Sequence, residues 1–236
     1  MPCPQWIVFD AVGTLITPSP TVAEAYAAVG QRYGVAVPVD VIRQRFRQAF
    51  RDSESSCFPA ERRGRTSEAE EITRWRWIVQ TVLPEANNTE ACFQDLWVHF
   101  ADPQQWRCYD DVAPVLTELK RRGLGIAMAS NFDQRLPRVC DGLSELSGID
   151  RVFVSSALGA RKPDPLFYRA VADELNVDSR ALLMIGDDVE CDVMGPKQAG
   201  WQALCLRRDS LSSDDSLLSL HDLVQWLELS PAAVGG

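Results

Sequence analysis

The chain has 236 residues, 46% of them hydrophobic, and a formal charge of −9, which allows one large domain or one domain carrying an insertion around a substantial core. The acidic balance argues against nucleic acid or an anionic membrane as a partner. Seven cysteines, scattered and without a CxxC pair, fit reduced thiols in a cytoplasmic protein better than a disulfide framework or a zinc site.

The first element follows Met1-Pro2-Cys3-Pro4 directly, leaving no room for a signal peptide. Trp6-Ile7-Val8-Phe9 reads as a strand buried on both faces. It runs into Asp10, a carboxylate that is costly to bury unless a metal, a hydrogen-bond network or a reaction needs it. Gly13 then lets the backbone turn and approach a ligand closely, and Thr14 adds a hydroxyl. The plainer reading is an Asp that caps the turn after a strand.

From 17 to 105 the pattern is helical, and no apolar run approaches the length of a membrane span. Thr21 and Glu24 form a capping box for a helix that Gly34 terminates. Ile42, Phe46, Ala49 and Phe50 stripe the next helix, and 53 to 65 reads as a polar loop with Pro59 and Gly64. Ser67 and Glu70 open a third helix, ended by Pro84, with Ile72, Trp75, Val79 and Val82 inward. Thr89 starts a fourth, with Phe93, Leu96, Trp97 and Phe100, closed by Pro103. These four predict a small helical bundle inserted after the first strand.

From Asp110 strands and helices alternate. A helix through Val115 and Leu119 ends at Gly123, and 124 to 130 is a buried strand. A helix from about Asp133 to Leu146 leads to a strand at 151 to 155. A helix capped by Asp164, with Pro165 at its first position, precedes a strand at 181 to 185. A short helix ends at Gly200, 201 to 206 is a further strand, and a terminal helix near 217 to 227 precedes a frayed tail from Pro231. The fold class expected is α/β, a doubly wound parallel sheet with helices on both faces, built from 1–16 and 106–236, with 17–105 as the helical insert.

Ligands of open parallel sheets bind outside the carboxyl ends of the strands. Polar groups just after the strands are Asp10, then Ser130 and Asn131, then Lys162, then Asp187, Asp188 and Asp192. They comprise a nucleophile-capable carboxylate, a hydroxyl and amide, a cation, and a carboxylate cluster suited to Mg²⁺. Together they describe a site for an anion held through a metal, with a small phosphorylated substrate the natural candidate. Taken singly each has a duller role: Ser130-Asn131 as a helix cap, Lys162 as a solvated loop lysine, Asp187-Asp188 as an N-cap. The specificity lies in the four groups falling at strand ends in order.

These motifs resemble those of the haloacid dehalogenase-like hydrolase superfamily: Phe9-Asp10-Ala11-Val12-Gly13-Thr14-Leu15, Ser130-Asn131, Lys162-Pro163-Asp164-Pro165, and Gly186-Asp187-Asp188-Val189-Glu190-Cys191-Asp192. Gly195 and Ala199-Gly200 also sit as that family places them, and the helical insert resembles the cap of its first subfamily. The match is closest to a branch sharing Ser130-Asn131-Phe132-Asp133 followed by Arg135-Leu136. The resemblance implies strand order 3-2-1-4-5, a mobile cap and Mg²⁺-dependent phosphatase chemistry. It implies Asp10 as the nucleophile that becomes an aspartyl-phosphate. Ser130, Asn131 and the turn at Gly13 and Thr14 would hold the transferring oxygens, and Lys162 would neutralise charge. The implied metal ligands are Asp10, the backbone carbonyl of Val12, Asp187 and Asp192 as ligand or support, with Asp188 a further candidate.

One departure bears on mechanism. The family's phosphatases carry a second aspartate, as general acid and base, where this chain has Val12. Its loss costs about 10²–10⁴ in rate if nothing substitutes. Dehalogenases need no such acid and no metal, but the acidic Gly186-Asp187-Asp188 disfavours that reading, since three carboxylates without a cation repel. Phosphonate hydrolases use a cap lysine, and the only lysines are Lys120, Lys162 and Lys197, none in the insert. Sugar phosphomutases need the missing acid. Two readings remain: a Mg²⁺-dependent phosphatase of weakened or restricted activity, or a catalytically degenerate relative that binds Mg²⁺ and a phosphorylated ligand or partner. Within the insert, the aromatics read as bundle core, and Arg62, Arg63 and Arg65 as the arginines best placed to reach the site.

Overall fold

The computed structural model describes residues 3–58, 60–208 and 216–229. The expected tail from Pro231 and the loop residue Pro59 lie outside these. Strand β1 (Trp6–Phe9) is central because its side chains have no solvent face: Ile7, Val8 and Phe9 are wholly buried. After it come β2 (Ile16–Pro18), the helices α1 (Val22–Arg32), α2 (Val39–Cys57), α3 (Glu68–Val82) and α4 (Thr89–His99), then β3 (Trp106–Cys108). β4 (Gly125–Ser130), β5 (Arg151–Val154), β6 (Leu182–Gly186), β7 (Gln202–Leu206) and β8 (Ser216–Leu217) complete the strands. One six-stranded sheet has the order β5-β4-β1-β6-β7-β8, with every pairing parallel. That is the expected 3-2-1-4-5 arrangement with β8 added at one edge. Helices cover both faces, and the two core clusters meet those faces separately.

Four helices occupy the expected insert. Thr21 and Glu24 form the capping box that opens α1, and Gly34, at φ +81°, lies just past its end. Four features differ from expectation. The chain leaves and re-enters the core as an antiparallel ribbon, β2 on β3, each strand too short to show a pattern. α2 runs on to Cys57, because Ser53 is buried, donates to the Phe50 carbonyl and accepts from Arg74 Nε at 2.8 Å. The helix expected at 133–146 is only Arg135–Asp141, followed by a 3₁₀ turn at Ser144–Leu146. It breaks at Gly142, where a Cβ would lie 2.3 Å from Pro103. The stretch before Gly200 is likewise a π-turn, Val189–Met194, leading into Gly195–Gln198. No helix among the described residues is long and apolar enough to cross a membrane.

Candidate active site

The parallel sheet brings the carboxyl ends of β1, β4 and β6 side by side. Asp10 extends β1 by one further bond, its N–H donating to the Ile185 carbonyl at 2.9 Å. The turn that follows is closed by the Ala11 carbonyl, which accepts from the N–H groups of Thr14, Leu15 and Ile16. Gly13 has φ +90°, and a Cβ there would lie 2.6 Å from Asp187 Oδ2, so the turn needs glycine for conformation and for clearance. Thr14 donates to Asp187 Oδ1 at 3.4 Å. Val12 lies on this turn with its side chain 38% exposed and faces the cavity described below.

Asn131, just after β4, makes a reciprocal amide pair across to the next loop. Its Nδ2 donates to the Lys162 carbonyl at 2.9 Å, and its Oδ1 accepts from Lys162 N–H at 2.8 Å. That pair positions the Lys162 side chain, which crosses to the sheet end and donates to Asp10 Oδ1 and Asp192 Oδ1, both at 2.7 Å. Asp192 Oδ2 accepts from the Asp188 N–H at 3.1 Å. A Cβ at Gly186 would lie 2.2 Å from the same oxygen, so this glycine makes room for Asp192.

Burial opposes the charge on Lys162, but the Asp10 and Asp192 carboxylates outweigh it and hold the ammonium well above its ordinary pKa. Burial pushes Asp192 up to about 6; Lys162 pulls it down, and the nearby Asp10 charge adds to the rise. Asp187 is raised as well, first by desolvation and then by Asp10. One oxygen from each of Asp10, Asp187 and Asp192 lies within 4.8 Å of the others. Three carboxylates face one ammonium, and an all-oxygen donor set with surplus negative charge fits a hard divalent cation such as Mg²⁺.

The site thus gathers Asp10, Thr14, Ser130, Asn131, Lys162, Asp187 and Asp192 at one sheet edge. Asp188 stays apart from the carboxylate trio: it is exposed, and its Oδ1 caps the Cys191 N–H at 2.8 Å. Above lies a cavity of about 680 Å³, lined by these groups other than Thr14, by Asp188 and by the insert. Here two expectations change. Arg62 pairs with Glu70 at 2.6 Å, and the arginines lining the cavity are Arg51, Arg74, Arg135 and Arg161. Phe46, Phe50, Trp75 and Phe100 face the cavity, whereas Trp77, Phe93 and Trp97 do not line it.

Glu71 and Arg74 escaped the sequence reading, although both fall on the buried stripe of α3 with Ile78 and Val82. Charged residues inside an apolar stripe were the available signal. Arg161 carried none, because its contact is with Glu71, 3.5 Å away in a distant helix.

Comparison with known proteins yields a family model described as haloacid dehalogenase-like hydrolase, matching residues 4–200. A mouse protein, haloacid dehalogenase-like hydrolase domain-containing protein 3, is 30% identical over 96% of this chain and 95% of its own length. Phosphatase MT3486 of Mycobacterium tuberculosis is 34% identical over 49% of this chain and 54% of its own. Among solved structures, the magnesium-bound YfnB of Bacillus subtilis has a TM-score of 0.73 at 16% identity, covering 96% of this chain and all of the other. L-2-haloacid dehalogenase structures share the fold at similarly low identity.

Proposed function

The chain belongs to the haloacid dehalogenase-like hydrolase family, and we propose that within it the protein is a magnesium-dependent phosphatase of small phosphorylated molecules. The observation that carries this is the bridge from Lys162 to Asp10 and Asp192, both at 2.7 Å, with the Asp187 carboxylate alongside. Asp10 Oδ attacks phosphorus, the bond to the leaving oxygen breaks, and an aspartyl-phosphate forms; water then attacks phosphorus, freeing phosphate and Asp10. Lys162 holds positive charge against Asp10 as the phosphoryl group approaches. Ser130 and Asn131 orient the transferring oxygens; the expected part of the Gly13 and Thr14 amides falls away, because those N–H groups are spent inside the turn on the Ile16 and Ala11 carbonyls at 2.9 and 3.4 Å. Asp10, Asp187, Asp192 and the Val12 carbonyl would hold Mg²⁺, which would supply the opposing charge that a carboxylate approaching a phosphate dianion needs.

Val12 leaves the departing oxygen without an adjacent acid. Turnover is therefore restricted to esters whose leaving group needs little protonation, aryl or acyl phosphates, or relies on Glu54, the one carboxyl that the insert contributes to the described cavity wall. The same residue favours a second reading, a degenerate member that binds Mg²⁺ and a phosphorylated ligand without useful turnover. In either reading the 17–105 insert acts as a cap, the compartment is the cytoplasm, and neither nucleic acid nor membrane is a partner. The test is Mg²⁺-dependent hydrolysis of p-nitrophenyl phosphate beside Asp10→Asn. Activity should fall by about 10⁴-fold in the variant. Activity that survives the substitution overturns the Asp10 mechanism. Binding of Mg²⁺ and phosphate without turnover in the wild type selects the second reading.

A further inference from the structure

The chemistry at Asp10 makes no use of the arginines on the opposite wall of the cavity, and that wall carries an unbalanced charge. Arg161 is 6% exposed, lines the cavity, and its Nη1 has no hydrogen-bond partner among the described residues. The nearest acid, Glu71 Oε1, is 3.5 Å away and already accepts from the Thr66 hydroxyl at 2.7 Å. Its other oxygen accepts from Arg74 at 3.2 Å. The two buried guanidiniums thus share one carboxylate. Arg135 adds nothing to the surplus, because Asp133 holds it through two bonds of 2.8 and 2.7 Å. Half-buried Glu54 and exposed Arg51 contribute one charge of each sign. A guanidinium taken out of water needs a paired anion, and a buried donor left unmade is costly.

The cavity between this wall and Lys162 is aromatic. Phe46 stacks on Phe50 at 5.8 Å, Phe50 meets Trp75 at 6.1 Å, and Trp106 meets Phe132 at 6.0 Å. Phe50 keeps 43% of its surface exposed, ring surface open to a stacking partner. The Arg74 guanidinium lies over the Phe50 ring at 4.8 Å, so the aromatic lining leads to the cationic pair. A volume of about 680 Å³ holds a one-ring ligand.

We infer that Arg161, with Arg74, receives a second anionic group carried on the leaving group of the substrate. The substrate class is then an aryl phosphate bearing a ring carboxylate. The single surplus charge matches a carboxylate rather than a second phosphate dianion. The planar body fits the aromatic walls, and an aryloxide leaving group suits a turn that offers Val12 in place of an acid. The inference rests on the phosphatase reading of the same cavity for its orientation.

Calorimetry with two hydrolysis-resistant probes, phenylphosphonate and 4-carboxyphenylphosphonate, tests it in the presence of Mg²⁺. The carboxylate should raise affinity about tenfold in the wild-type chain, the scale of one charge-assisted bond. In Arg161→Gln that preference should shrink to about twofold or less. The double variant Arg161→Gln, Glu71→Gln removes the acid together with its partner and should show the same lost preference; melting temperatures check its fold. The readout is the ratio between probes within one protein, so a loss common to both does not count as support.

Equal affinities in the wild type overturn the inference, as does a preference that persists in the variants or binding of neither probe. Hydrolysis of phenyl phosphate and 4-carboxyphenyl phosphate separates the two claims. A binding preference without turnover keeps this inference and sinks the phosphatase reading. Turnover without preference does the reverse.

Discussion

The floor and the roof of the cavity solve the burial of charge in opposite ways. On the floor Lys162 reaches Asp10, just past β1, and Asp192, in the π-turn past β6, both at 2.7 Å; residues 7–9 and 182–185 of those strands are wholly buried, so the sheet anchors the geometry. On the roof the charges come from α3 and from the loop at Arg161, and one guanidinium nitrogen has no hydrogen-bond partner among the described residues. The insert's other ion pairs, such as Arg32 with Asp95 and Arg76 with Glu90, lie in solvent and add little. Bond making needs positions held to a fraction of an ångström, which packed parallel strands supply. Choosing among substrates needs a surface with unspent hydrogen bonds, which the roof offers.

Removing the floor's only ammonium should break this contrast most severely. In Lys162→Met, Asp10 and Asp192 lose their shared buried partner, and stability should fall by about 3–5 kcal/mol. Chemical denaturation measures the loss, and added Mg²⁺ should recover part of it, because a cation at the trio restores the missing opposing charge. Phosphatase activity should drop by about 10²-fold or more even where the variant is folded. A variant as stable as the wild type would mean that the floor is no more committed than the roof.

Val12→Asp sharpens the same contrast by supplying what the floor lacks. The side chain is 38% exposed toward the cavity, so a carboxyl there stays in contact with water. Steady-state kinetics should show hydrolysis of alkyl phosphates rising by about 10²-fold, with a smaller gain for aryl phosphates, whose leaving groups need less help. No gain for alkyl esters would place the acid elsewhere, with Glu54→Gln the variant that then loses activity.

The legibility of the molecule follows the same division. Asp10, Ser130, Asn131 and Asp187 could be picked out because each ends or directly follows a short apolar strand, whereas Lys162 and Asp192 lie farther along the loops after β5 and β6 and stood out only through their order with the others. The sheet order came from family likeness and was met, but β8 and the β2–β3 ribbon have only two or three residues each and leave no periodicity. Gly142 broke a helix through its contact with Pro103, far away in sequence. The roof residues Arg74 and Glu71 are illegible in sequence for the same reason: only tertiary packing brings Ser53, Thr66 and Arg161 around them. The role of Asn131 as a clamp on the Lys162 loop likewise depends on two loops meeting.

The smallest expected effect is on pH, and its sign follows from the floor alone. Burial raises Asp192 from the ordinary carboxylate range to about 6 and raises Asp187 too. The folded chain therefore holds a proton that the unfolded chain releases. Stability without metal should decline as pH rises toward about 6 and level off above it. A cation at the trio competes with that proton. At pH 5 an acid with a pKa of about 6 is mostly protonated, so Mg²⁺ affinity should be about tenfold weaker than at pH 7.5, about 1.4 kcal/mol. Melting temperatures at fixed Mg²⁺ should accordingly rise more at pH 7.5 than at pH 5. An equal rise at both would mean that the ion bypasses Asp192. Lys162 would then be that carboxylate's sole counter-charge, leaving Asp10 and Asp187 to hold the metal.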